Sequence, residues 1–534
     1  MDNNMAEEAT REKSSIDLPL TIVSVAAVFV FVGFMALEPE GTLKFVNTLF
    51  DYTTRVTGTP ILWFVFLGLI TCLYLAFGRF GKIKLGNFKP EFSFFSYCAM
   101  MICAALASTA VFYSFVEWTY YYTEPAFGIA AKSQQAADYA LAYAFFHWGP
   151  SVQVIFVLTA VPMAYAVYVK KLPVLRVSAV CEHMMESFRY KKQFGKLIDL
   201  LTIFSIVGGL GVSLGLGVPL IAAGIGHMFN FEPGFGLSVG IVVVLASVFS
   251  ISSFIGIEKG MRNLSDYTIY VAIAFIAYIF VTGPAEFIVK YFTNTMAELL
   301  DNYVKMSLWT DPIGKSGFPE ANTIFLFTLG LNYAAMMGVF ITKISKGRTI
   351  QELVVTCLFG LSLGTWLMFG INSGFGLNAE LTGIYKLTEA PTGQIGVFQL
   401  LDLIPGGVVI TIIFTLLAVG FLTTSLDSAA FTLSAVATKK LDKDGNTNPA
   451  FRLFWCVVLA AVPLSIMFSK APFSALKTLC IFLSVPFLII IVFMVVGLFR
   501  WLVKDAEHPA IFEDADAQWN MSTRRILPQD RERK

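Results

Sequence analysis

Three short stretches place reactive residue types inside an otherwise apolar chain. The first is Thr423-Thr424-Ser425-Leu426-Asp427-Ser428, adjacent hydroxyls beside an acid. Polar groups at membrane depth are costly unless something compensates them. Hydroxyl and carbonyl oxygens suit a hard cation such as Na+, while Asp427 is equally suited to capping or to pairing with a basic loop residue. The second is Phe146-His147-Trp148-Gly149-Pro150, an imidazole and an indole beside a helix-breaking pair. His147 is open to three roles: a satisfied core residue, a proton relay or a ligand. Haem needs paired histidines on facing helices, and the other candidate near a span is His227, so a cytochrome fits poorly. The third is Ala105-Leu106-Ala107-Ser108-Thr109 at mid-span, followed by Glu117 and the tyrosines Tyr120, Tyr121 and Tyr122. A Ser-Thr pair often bonds back to its own helix, and the tyrosines suit an interfacial aromatic belt as well as a site.

The elements that position these residues must be helices in lipid. Of 534 residues 56% are hydrophobic and 14% charged, against about 45–50% and about 25% in soluble domains. Mean hydropathy is +0.70. A net charge of +1 offers no polybasic surface for nucleic acid. An intramembrane enzyme is disfavoured, because the chain has no HExxH and no paired intramembrane aspartates. The seven cysteines include no CxxC pair and read as small buried hydrophobes.

A helix needs about 20 apolar residues to cross the hydrocarbon core. Twelve segments qualify: 18–37, 60–77, 92–116, 141–169, 200–226, 235–257, 267–283, 323–341, 353–375, 407–426, 453–468 and 479–499. With the N-terminus inside, the inner segments hold 29 of the 38 basic residues, which predicts cytoplasmic N- and C-termini and an even span count. The polar ends, 1–17 and 505–534, are too short for independent domains. Stretches 178–189 and 284–300 mix apolar and charged residues and read as helices lying in the interface. The run Gly208 to Gly217, including Gly211 and Gly215, predicts a close helix approach in the fifth span.

Four ordered motifs call up a family: Phe146 to Pro150, Glu258-Lys259-Gly260-Met261-Arg262-Asn263-Leu264-Ser265-Asp266, Trp309-Thr310-Asp311-Pro312-Ile313-Gly314-Lys315-Ser316-Gly317-Phe318-Pro319, and Ile344-Ser345-Lys346-Gly347-Arg348-Thr349. Together they resemble the betaine/choline/carnitine transporter family from about Leu18 to Val503. The resemblance implies an all-α integral membrane protein of twelve transmembrane helices. Two peripheral helices (18–77) precede two inverted five-helix repeats of the leucine-transporter-like fold (92–283 and 323–499), joined by an interfacial linking helix (284–301). It also implies a homotrimer, and a substrate site where the first helix of each repeat, the third and eighth spans, is broken near the midplane.

Family members hold quaternary ammonium groups in an aromatic box through cation–π attraction. Trp148 and Tyr120 match that box. The next aromatic places in the fourth span fall at Gln153 and Phe156. The consecutive tryptophans of the eighth fall at Leu329 and Gly330, followed by Tyr333. Losing these indoles leaves a larger cavity with a new amide, in which a substrate bearing N–H groups is plausible. For Na+, Thr424 and Ser425 match the family's hydroxyl pair, with main-chain carbonyls supplied near Cys103 and Leu106. The usual glycine-rich element of the third span is replaced by Ala105, Ala107, Ser108 and Thr109, which makes a bend harder to form. Sodium-independent exchangers of the family carry an arginine where this chain has Thr268. The sequence therefore predicts a plasma-membrane secondary transporter of a small zwitterion or quaternary amine, Na+-coupled and without other cofactors. Exchange or proton coupling of another zwitterion, such as an amino acid or a sulfonium compound, is the alternative. A non-transporting sensor or channel is the alternative of another class.

Overall fold

With no water in the bilayer core, each segment must satisfy its own backbone groups, and this chain does so by helix almost throughout. The structure, a computed structural model, describes residues 15–185, 187–442, 446–468 and 474–506. The N-terminal segment up to residue 14 and the basic tail beyond residue 506 lie outside the described residues, as do the side chains of Ala107, Ser108 and Cys480. Helices α1 (Leu18–Leu37) and α2 (Pro39–Phe77) come first. Where the sequence predicts a span from 60, α2 already starts at Pro39, a residue tolerated in the first helical turn. Next come α3 (Phe94–Thr123), α4 (Gln134–Trp148), α5 (Pro150–Tyr168), α6 (Val177–Met184), α7 (Lys191–Phe229), α8 (Phe235–Ile255) and α9 (Arg262–Thr282). Helix α10 (Ala285–Leu308) follows, then α11 (Phe325–Ile344), α12 (Ile350–Val355), α13 (Leu361–Thr382), α14 (Gly393–Leu401), α15 (Gly407–Val436), α16 (Pro449–Phe468) and α17 (Ser474–Asp505).

Among the described residues, ten helices are long and apolar enough to cross a membrane, or eleven when α3 is counted as one bent span. The apolar stretch of α1, Leu18–Phe34, is shorter. Helix α3 bends by 62° between Phe94–Leu106 and Thr109–Thr123 despite lacking glycine there. Ser425 of α15 donates to Cys103 O at 2.9 Å and Ala104 O at 3.4 Å, the carbonyls just before the bend. A hydroxyl from a neighbouring helix thus compensates backbone that a bend strips of donors.

The eighth span does not break at mid-length as expected. A wide turn, Pro319–Ile324, runs directly into α11, and α3 holds the only bend above 40° found among the described spans. The glycine available for a break is used for packing: a Cβ on Gly330 would sit 2.7 Å from Val152 of α5. The linking helix is longer than predicted, and Tyr291 of α10 donates to Ala137 O of α4 at 2.6 Å. Helix α14, a nine-residue segment, escaped the sequence reading because it is too short for a span.

The two ends of the described chain lie on the side of the segment that joins α5 to α6. Strand β1 (Ser15–Ile16) pairs antiparallel with β2 (Thr438–Lys440) after α15. Arg176, ahead of α6, donates to Thr438 O at 2.9 Å and to Asp199 at 3.2 Å. Lys170 beside it bonds Asp505 at the end of α17, at 2.7 Å.

Candidate functional site

The bend of α3, the start of α5, the glycine run of α7 and the first half of α11 surround one buried cavity. Its wall includes Ala105, Leu106, Thr109, Trp148, Gln153, Phe156, Leu329, Gly330 and Tyr333, all singled out from sequence. It also includes His147, Val152, Val212, Ser213 and Leu326. The cavity volume is about 40 Å³, room for a few waters, so a ligand with a trimethylammonium head requires the walls to part.

Each side chain is oriented by a neighbour. Tyr333 is held at both ends of its reach: its hydroxyl donates to Gly209 O at 3.1 Å and bonds Ser213 Oγ at 2.5 Å. Thr109 Oγ1 donates to the same Ser213 at 3.4 Å, so three hydroxyls from α3, α7 and α11 form one cluster. Gly209 makes room for this ring, since a Cβ there would lie 3.1 Å from Tyr333. The glycine run therefore acts on the cavity wall through Gly209, whereas Gly211 and Gly215 lie farther along α7 outside that wall.

Trp148 ends α4 because Gly149 and Pro150 interrupt the helix there. Its ring lies beside Tyr113 and Phe369, with centroids 6.2 and 5.6 Å away. Its indole N–H donates to Glu117 Oε2. Glu117 is only 2% exposed. Tyr121 donates to its other oxygen at 2.6 Å and bonds His147 Nδ1 at 2.8 Å, and His147 Nε2 bonds Thr323 at 3.0 Å. The sequence placed Glu117 and Tyr121 at the outer helix end. The available signal was their spacing: residues four apart share a helix face, and an acid there needs donors.

Gln153 is 1% exposed. Its amide N–H donates to Trp148 O at 3.4 Å, while Oε1 finds no partner. Tyr120 is the exception among the predicted box residues. It is 47% exposed and stands outside the cavity wall, with its ring 6.4 Å from that of Tyr113.

The second cluster lies where α15 crosses α3. Ser425 faces the Cys103 and Ala104 carbonyls as described, while Thr424 donates back to Gly420 O and Phe421 O of its own helix. Thr268 of α9 packs against Gly420, whose Cβ would lie 2.8 Å from its hydroxyl. The donor set is neutral oxygen throughout, the kind that suits Na+. Asp427 accepts from the Ser252 hydroxyl at 2.5 Å, with Arg452 of α16 in its surroundings.

A family model described as BCCT, betaine/carnitine/choline family transporter, matches residues 19–507. The chain is 33% identical over 489 residues to a carnitine transporter of Acinetobacter baumannii, covering 91% of this chain and 89% of that one. It is 32% identical over 450 residues to an uncharacterized transporter of Escherichia coli strain K12, YeaV, covering 84% and 93%. Among solved structures it is similar to a Na+-coupled sialic acid symporter at 12% identity and a TM-score of 0.43, covering 77% and 80% of the two chains. A match to the family model across nearly the whole chain and two relatives above 30% identity make the chain a member of the betaine/carnitine/choline transporter family.

Proposed function

We propose that the protein is a Na+-coupled secondary transporter of a small zwitterion or quaternary ammonium compound of the betaine, choline and carnitine class, working by alternating access. The cavity is its substrate site. The observation that carries this reading is the unpartnered Gln153 Oε1 in a wall that also presents Trp148, Phe156 and Tyr333. Ring faces attract a quaternary ammonium group, each contact contributing up to about 2 kcal/mol when desolvated. A lone buried acceptor favours a substrate that also carries a hydroxyl or N–H, as carnitine does and glycine betaine does not. The hydroxyls of Thr109, Ser213 and Tyr333 are the natural partners for a substrate carboxylate.

Na+ would be held by Ser425 and Thr424 with the carbonyls before the α3 bend. Ion and bend then depend on each other, which is one way to couple cation binding to the rocking of a bundle about the site. In this reading 92–283 and 323–499 are the two inverted repeats, the chain assembles as a homotrimer in the bacterial inner membrane, and both termini are cytoplasmic. Both described ends lying on one side supports that topology. The test is uptake of labelled carnitine, choline and glycine betaine into proteoliposomes with and without an inward Na+ gradient. The reading expects concentrative uptake with Na+, carnitine preferred. Equal uptake without Na+ would remove the coupling, and no uptake of any of the three would remove the substrate class.

A further inference from the structure

The chain of bonds from Thr323 to Glu117 contains more chemistry than holding an indole requires. Glu117 is buried, and among the described residues no Lys or Arg forms an ion pair with it; the one charged-capable neighbour is His147, 3.8 Å away. Its two oxygens instead accept from neutral donors, Trp148 Nε1 and the Tyr121 hydroxyl. Tyr121 has one proton and spends it on Glu117, so its contact with His147 Nδ1 requires that nitrogen to be the donor. His147 Nε2 is then an acceptor, and the Thr323 hydroxyl donates to it.

Every bond in this chain can be reversed by one added proton. A proton reaching His147 Nε2 from cavity water turns Thr323 from donor to acceptor. The Nδ1 proton passes to the Tyr121 oxygen, and the Tyr121 proton passes to Glu117 Oε1. The net change is one proton gained by Glu117. His147 is neutral before and after, with its tautomer switched, and the bonds linking the four side chains are kept in the reverse sense while the Thr323 hydroxyl proton turns away from His147. His147 is among the residues lining the cavity, the side from which the relay would be loaded.

We propose that Thr323, His147, Tyr121 and Glu117 form a proton relay whose loading loosens Trp148, so that a proton and the cationic head of the substrate compete. With Glu117 ionised, the indole N–H makes a charge-assisted bond and a negative charge lies behind the ring that faces the substrate cation. With Glu117 neutral, that bond falls to roughly half its strength and the charge is gone. The titratable groups facing Glu117 are Tyr113, Tyr120 and Tyr121 of its own helix and His147 of α4, with Tyr143 of α4 beyond Tyr121. The neighbouring α13 presents Phe369, Asn372 and Ser373 to this region, and the turn before α11 presents Phe318 and Thr323, none of which titrates. The competition rests on the substrate reading above; the relay itself does not.

The experiment has two arms on the full chain in nanodiscs. In the first, without substrate or Na+, infrared difference spectra are recorded as the pH is lowered. The proposal expects the carbonyl stretch of a protonated acid to grow in and to be missing in Glu117→Gln. A titrating band identical in that variant overturns it. Should Glu117→Gln not fold, Tyr121→Phe keeps the carboxylate and breaks the relay: after a pH jump the band should appear about tenfold more slowly, and an unchanged rate overturns the proposal. In the second arm, carnitine, choline and glycine betaine are titrated across pH. Apparent affinity should fall by up to about tenfold per pH unit on the acid side, the slope of one-proton competition, with proton release on binding. Binding without either effect overturns the competition. Failure of all three probes to bind counts against the substrate reading and leaves the infrared arm to decide the relay.

Discussion

Replacing Gln153 with leucine separates the two things this side chain does, and the two effects have opposite signs. Leucine is of similar volume and carries no polar atom. In the protein alone, Gln153 Oε1 is a buried acceptor without a partner, and its N–H makes only a long bond of 3.4 Å to Trp148 O. Removing an unsatisfied buried acceptor recovers about 1–3 kcal/mol, less about 0.5–1 kcal/mol for the lost weak bond, which leaves a net stabilisation of about 1 kcal/mol. Toward substrate the sign reverses. A hydroxyl that donates to Oε1 contributes about 1–1.5 kcal/mol, so Gln153→Leu should weaken a substrate bearing a donor by roughly 5- to 10-fold while sparing one without. Competitive uptake of carnitine against glycine betaine reads the second effect and thermal unfolding in detergent reads the first. The reasoning is refuted if both substrates lose equally, or if the variant unfolds at a lower temperature than the parent.

Three further outcomes follow from the same geometry. Ser425→Ala removes the donor to Cys103 O and Ala104 O and one proposed ion ligand, so the Na+ concentration for half-maximal uptake should rise by roughly 10- to 100-fold, the worth of a contact to a charged group; an unchanged Na+ dependence would leave Ser425 a packing residue. Gly330→Ala should destabilise by about 1–3 kcal/mol through overpacking, because its Cβ would meet Val152 at 2.7 Å and Ile155 at 3.0 Å; a variant as heat-stable as the parent would contradict the close approach of α5 and α11. Asp311, in the exposed loop before the turn leading to α11, accepts from the Ser316 hydroxyl, Ser316 N and Gly314 N, which hold its carboxyl below the ordinary 3.8. A depressed carboxylate contributes its full share above the unfolded value and loses it as pH falls through the folded one, so protease cleavage at 311–317 should rise only below about pH 4 and should be pH-independent in Asp311→Ala.

The parts of this molecule legible in its sequence are those governed by one-dimensional rules. Apolar runs of membrane length located the ten or eleven long apolar helices seen among the described residues, against twelve expected, and the crossing of α15 over α3 was foreshadowed by Thr424-Ser425, hydroxyls that lipid-facing surface has no use for. What escaped depended on neighbours far along the chain. The bend in α3 looked improbable without glycine, but Ser425, more than 300 residues later, donates to the carbonyls at the bend. The break expected in the eighth span is missing because Gly330 lets α11 lie against Val152, a use of glycine that sequence does not distinguish from a hinge. The same contact is too close for a side chain as large as an indole at 330, where a Cβ alone would meet Val152 at 2.7 Å. Tyr120 fits the aromatic pattern by position yet is half exposed outside the cavity wall, while Glu117 and Tyr121, for which the sequence left belt and site roles open, turn inward, Glu117 accepting from Trp148 and Tyr121 donating to Glu117. Rotation about a helix axis is set by packing, which is why residues three or four apart exchanged roles.

The central claim is that the cavity bounded by α3, α5, α7 and α11 is where substrate sits. A structure of the protein with carnitine and Na+ bound tests it most directly. The account predicts the quaternary nitrogen within about 6 Å of the Trp148 ring centroid, the hydroxyl on Gln153 Oε1, the carboxylate at the Thr109, Ser213 and Tyr333 hydroxyls, and a cavity widened beyond its present 40 Å³. Ligand density lodged elsewhere, with Trp148 and Gln153 unmoved and unoccupied, would contradict it.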